Sequence, residues 1–90
     1  MPRISSKTKD RISEHILSYL FSHSPEAIYT NAIARELARD EEFIKSLLAE
    51  LEQKKLVIKI SQNEHGLPLI RRSRWRLSNT AFEAYKRMQL

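Results

Sequence analysis

The chain has 90 residues, with 16 Lys+Arg against 11 Asp+Glu, for a net charge of +5. It is 41% hydrophobic and holds one Gly, three Pro and no Cys. That length fits one domain, and the apolar content excludes a disordered chain. The missing Cys excludes a disulfide frame, a thiol nucleophile and a Cys-based metal centre. No apolar run approaches the roughly 20 residues that span a bilayer, so no membrane segment is expected. The polar, basic start, Met1 to Asp10, lacks a signal-peptide core, which points to a cytoplasmic protein.

The first predicted element is an amphipathic helix from near Thr8 to just before Pro25. Ile12, Ile16 and Leu20 recur every four residues, with Leu17, Tyr19 and Phe21 beside them. His15, one turn from Tyr19, is expected to be half-buried. The first seven residues read as a flexible basic arm, which with Lys9 and Arg11 either touches a polyanion or is a simple fraying end. Ala27 to Tyr29 is a short extended piece. Thr30 or Asn31 then offers a side-chain oxygen to cap a helix reaching Ala38, with Ile33, Ala34 and Leu37 inward. After a break at Arg39, Asp40 can cap the next helix, whose Glu41 and Glu42 suit a positive helix start. Its stripe is Ile44, Leu47, Leu48 and Leu51, ending near Lys54.

Leu56 to Ser61 is rich in β-branched residues and reads as a strand. A turn around Gly66 leads into a second strand, Leu69 to Leu77. Alternation puts Arg72, Arg74 and Arg76 on one face, and Trp75 and Leu77 on the other. Trp75 is expected to anchor the core. Ser78 or Asn79 caps a last helix in which Phe82, Tyr85 and Met88 lie three apart. The fold class is α+β, mainly helical. One domain is expected over 1–90, with a helix pair over 30–54, a hairpin over 56–77 and a closing helix over 79–89.

Two helices separated by about three residues and followed by a hairpin form a helix-turn-helix with a wing. The stretch Ile33–Val57 resembles the winged helix-turn-helix family through Ile33, Ala34, Leu37, Ile44, Leu48, Leu51, Leu56 and Val57. Arg74–Tyr85 (RWRLSNTAFEAY) is similar to the family's close, an aromatic-x-Leu-Ser strand end entering a last helix. The resemblance is to small prokaryotic and archaeal transcriptional regulators of the multiple-antibiotic-resistance type. It implies double-stranded DNA as partner, a recognition helix in the major groove, and a wing over the backbone. By position, it assigns Glu41, Glu42, Lys45, Ser46 and Ala49 to the groove and Thr30 and Asn31 to a phosphate. Gln62, Asn63, His65, Arg71, Arg72 and Arg74 fall on the wing. It also implies a homodimer, for which Phe21, Phe82, Tyr85 and Met88 supply apolar surface.

Three positions depart from the pattern. Asp40–Glu42 is acidic where phosphates approach, although Glu accepts from cytosine N4. Phe43 is either a satellite of the core or a contact to DNA. Lys55 replaces the usual Gly after the recognition helix and is expected to change how that helix ends.

Charge is unevenly placed. Residues 33–52 hold Arg35, Arg39 and Lys45 against Glu36, Asp40, Glu41, Glu42, Glu50 and Glu52, a net of −3. The basic groups lie on either side, with Lys54, Lys55 and Lys59 next to the run Arg71, Arg72, Arg74 and Arg76. Two readings of that run stand: a phosphate clamp, or a solvated strand face paired with the acids of 36–52. An acidic recognition helix also suits a protein partner, the alternative to DNA, and charge alone does not separate DNA from RNA. His15, His23 and His65 are scattered, and no HExxH, Gly-rich loop or GxSxG occurs. No metal, cofactor or enzymatic activity is expected.

Overall fold

The computed structural model describes residues 6–60 and 73–88. The chain order is α1 (Ser6–His23), β1 (Ile28–Tyr29), α2 (Thr30–Leu37), α3 (Glu41–Gln53), β2 (Val57–Ile60), β3 (Arg74–Leu77) and α4 (Asn79–Met88). The three strands form one antiparallel sheet in the order β1-β3-β2. The expected α+β, mainly helical architecture is therefore what the chain adopts.

The core follows the periodicity of the sequence. α1 buries Ile12, Ile16, Leu17 and Leu20, and α3 buries Ile44, Leu47, Leu48 and Leu51. α2 adds Ile33 and Ala34, and the sheet adds Ile28, Val57, Trp75 and Leu77 from its inner face. Full burial of one such aliphatic side chain contributes about 1.5–3 kcal/mol. α1 starts at Ser6, two residues ahead of the expected start. His15 is exposed rather than half-buried, because the buried stripe runs through Ile12, Ile16 and Leu20 and leaves it outside.

The helix ends are the least ordinary parts of the backbone. Asp40 caps α3 as expected, its carboxylate accepting from Phe43 N–H at 3.2 Å. Ser78 caps α4, its hydroxyl accepting from Ala81 N–H at 3.1 Å. α2 differs: its capping residue is Tyr29, with no side-chain hydrogen bond, and Thr30 is already helical. Lys55 does not alter the end of α3. It takes the left-handed conformation itself, at φ 62°. Lys55 N–H then donates to Glu52 C=O at 2.9 Å, and Leu56 N–H to Leu51 C=O at 3.0 Å. This is the paired hydrogen-bond closure that a Gly normally provides. α2 closes the same way through Ala38, at φ 54°. The reversal is required in both places because the chain must turn at once into the next element.

α4 docks on α1. Phe21 lies 5.4 Å from the Phe82 ring and 5.6 Å from the Tyr85 ring, centroid to centroid. Tyr85 donates its hydroxyl proton to Glu14 at 2.8 Å. Burial first, then that hydrogen bond and the Glu14 charge, push the Tyr85 phenol well above its ordinary range. It therefore stays protonated and remains a donor. A Lys9–Glu50 ion pair at 3.1 Å links α1 to α3.

A β-carbon in the left-handed region is unfavourable, and Gly removes that cost while adding chain entropy to the unfolded state. Lys55→Gly is expected to stabilise the fold by roughly 0.5–1 kcal/mol. Chemical denaturation checks this, and a lowered midpoint would contradict the left-handed assignment.

Candidate nucleic-acid interface

Because α3 turns four aliphatic residues inward, its opposite face is fixed as well. Glu41, Glu42, Lys45, Ser46 and Ala49 are all exposed on it. Three residues, Ala38–Asp40, separate α2 from α3. The starts of the two helices open a cleft of about 340 Å³ lined by Tyr29, Thr30, Asn31, Glu41, Glu42, Lys45 and Ser73. Ser46 and Ala49 continue the exposed face one turn along. Ser46 donates to Phe43 C=O at 2.7 Å. Phe43 itself is half-buried and packed against the core, which makes it a core satellite.

Thr30 requires a correction. Its expected roles were a helix cap and a phosphate contact, but it is only 7% exposed. Its hydroxyl accepts from the Trp75 indole N–H at 2.8 Å and donates to Ser73 C=O at 3.3 Å. Its own N–H donates to Ser73 C=O at 3.2 Å. A buried indole N–H needs an acceptor, and Thr30 is committed to that need. Asn31, the next residue, is exposed and lines the cleft.

The sheet brings cations beside the helix pair. Arg74 pairs across the ladder with Tyr29 on one side and Ile60 on the other, so these three share the outer face. Arg76 shares it too, donating to Leu77 C=O at 3.1 Å. Trp75, at 3% exposure, faces inward as expected, with Lys59 Nζ 5.9 Å from its ring. Gln62, Asn63, His65, Arg71 and Arg72 lie outside the described residues.

Sequence reasoning missed Tyr29. The one available signal is its place between the buried Ile28 and Thr30, which makes it outward-facing on a two-residue strand. Of the residues expected at a dimer interface, Phe21, Phe82 and Tyr85 pack on one another within the chain. Met88 is 77% exposed. Among the described residues no group of three or more His, Asp or Glu gathers as metal ligands. No helix among them is long and apolar enough to cross a membrane.

Among the described residues, four helices and a three-stranded antiparallel sheet define a winged helix-turn-helix fold. No protein-family model matches the sequence, and no curated protein matches it. Solved structures do. MepR, a transcription regulator of the Staphylococcus aureus multidrug efflux pump MepA, superposes with a TM-score of 0.70 and 26% identity, over 87% of this chain and 53% of MepR. The S. aureus MepR–DNA complex gives a TM-score of 0.75 and 25% identity, over 92% of this chain and 65% of that one. Lactococcus lactis ZitR gives 0.70 at 18% identity, over 93% of this chain and 58% of ZitR, a likeness of fold alone. MepR and ZitR are winged-helix regulators of the multiple-antibiotic-resistance type, so the resemblance read from the sequence holds in three dimensions. The chain spans about half the length of the MepR chain.

Removing the Thr30 hydroxyl strands the buried indole donor. Thr30→Val is expected to cost about 1–3 kcal/mol, and Thr30→Ser to recover part of it. Urea unfolding measures both; a wild-type midpoint for Thr30→Val would release Thr30 from this role.

Proposed function

We propose that this chain is a double-stranded-DNA-binding transcription regulator whose α3 enters the major groove. One observation carries the reading. The exposed face of α3 and the cleft beside Asn31 lie on a scaffold shared with MepR, which is solved in complex with DNA. Lys45, Ser46, Ala49 and Glu42 face the bases, and Asn31 faces the backbone. Arg74 adds a cation from the sheet, and Asn63, His65, Arg71 and Arg72 complete the proposed set.

The charge pattern divides the labour. Glu41 and Glu42 repel phosphates, so backbone affinity comes from the Lys and Arg groups outside α3. Glu42 has a base-reading use, since a carboxylate accepts from cytosine N4 in the major groove. A cytoplasmic location and a domain running through the whole chain accompany this reading.

The regulator acts as a homodimer, because a two-fold dimer reads two half-sites a helical turn apart. Met88, at the exposed end of α4, and the neighbouring α1–α4 aromatic cluster provide the apolar surface. Sedimentation at tens of micromolar is expected to give twice the 10.6 kDa chain mass; a monomer there rejects the dimer.

Fluorescence anisotropy with a random duplex at two salt concentrations tests DNA binding. Affinity is expected to fall steeply with salt, at about 0.9 log units per log unit of salt for each phosphate neutralised. No binding even at low salt overturns the proposal.

A further inference from the structure

The outward face of α3 is not chemically uniform. An α-helix turns by roughly 100° per residue. Measured from the mean direction of the buried Ile44, Leu47, Leu48 and Leu51, Glu42 leaves the helix at roughly 170°, Lys45 at roughly 110° and Glu41 at roughly 70°. Glu42 therefore faces squarely away from the core, whereas Glu41 sits on the flank. Ser46 and Ala49 follow Glu42 along the same exposed ridge. The Ser46 hydroxyl proton is committed to Phe43 C=O at 2.7 Å, and Ala49 ends in a methyl. The polar chemistry of this ridge thus rests on Glu42, with Lys45 three residues on.

Both side chains start from a fixed backbone. The Asp40 carboxylate accepts from Phe43 N–H, and Asp40 C=O accepts from Ile44 N–H at 3.0 Å, which closes the first turn around Glu42. Ile44, between Glu42 and Lys45, is fully buried and locks the rotation of the helix. Both residues line the cleft. Neither makes a hydrogen bond or ion pair with another described residue.

Residues three apart on a helix are neighbours, with β-carbons about 5–6 Å apart. The face therefore presents an ammonium donor beside a carboxylate acceptor. In the major groove a G·C pair presents the complement: guanine N7 and O6 accept, and the adjoining cytosine N4 donates. An A·T pair alternates acceptor, donor, acceptor and methyl, so a carboxylate brought there also meets the thymine O4. We propose that Glu42 and Lys45 act together as specificity determinants: Glu42 accepts from cytosine N4 while Lys45 donates to the guanine paired with it, so that α3 selects a G·C pair in one orientation. The inference rests on the DNA-binding reading above and adds to it which base pair the helix reads. It also gives the acidic residue a use. Glu42 weakens attraction to every duplex, and it discriminates because a wrong pair leaves its buried oxygens without a donor.

The test is selection by the full chain from a duplex pool with randomised positions, followed by anisotropy on the selected duplex. Wild type is expected to enrich a G·C pair, and replacing that pair by A·T is expected to weaken binding about five- to a hundredfold. Glu42→Gln is expected to move the selected base from cytosine to adenine, because a glutamine amide pairs with adenine N6 and N7. Lys45→Ala is expected to relax the guanine requirement. Glu41→Gln is the control for charge: it removes the same charge one residue away, and is expected to tighten binding to all duplexes while the selected pair stays G·C. Four outcomes overturn the proposal: no G·C enrichment by wild type, an unchanged selection by Glu42→Gln, a Glu41→Gln selection that shifts in the same way, or equal loss on every duplex in both Glu42→Gln and Lys45→Ala. If wild type binds duplex DNA and any of these is seen, this inference falls alone. If wild type binds no duplex, both readings fall together.

Discussion

An indole that is 97% covered cannot leave its N–H without an acceptor, and the position of that acceptor organises much of this domain. Trp75 reaches 45 residues back along the chain to Thr30, the first residue of α2. The backbone repeats the tie, with Thr30 N–H donating to Ser73 C=O. The central strand is thereby fastened to the start of the helix-turn-helix. The two-residue β1 is too short to hold its place by ladder hydrogen bonds alone, and it inherits its register from this junction. The side chains that line the cleft on one side, Tyr29 and Asn31, are thus set by an interaction buried behind them.

The same separation of inside from outside governs α3. Its four buried residues supply packing, and its outward face carries Glu41, Glu42, Lys45, Ser46 and Ala49. The acidic first turn serves the helix: Asp40 caps it, and Glu41 and Glu42 offset its positive end. That local gain sets the electrostatics of the site. Negative charge stands where the helix meets the cleft, and positive charge stands on the sheet, at Lys59, Arg74 and Arg76.

What the sequence makes legible is what depends on near neighbours. The stripes of α1 and α3, the cap at Asp40, and the inward Trp75 and Leu77 all follow from spacing alone, and all appear as read. The resemblance through Ile33–Val57 identifies the fold for the same reason. The misread positions depend on distant or following parts of the chain. Thr30 looks like a cap because capping is local, whereas its real partner lies on β3. Lys55 looks like an obstacle to the left-handed turn, but Leu56 and Val57 must enter the core and the sheet at once, and that need outweighs the cost of a β-carbon. Tyr29 carries no motif at all, and its place by Arg74 follows from the strand register.

The division of α3 has a consequence for how such a protein can change. Its fold-bearing positions and its outward positions do not overlap, so the two sets are free to vary independently. Exchanges of Lys45, Ser46 or Ala49 shift stability by only about 0.5 kcal/mol in either direction. A lineage can therefore vary the outward face of this helix in single steps, each of which leaves a folded intermediate. Ile44, Leu47, Leu48 and Leu51 have no such freedom, and neither does Thr30, although it sits at the edge of the same cleft. Divergence in this scaffold is then a surface process, running along one side of a helix whose other side stands still.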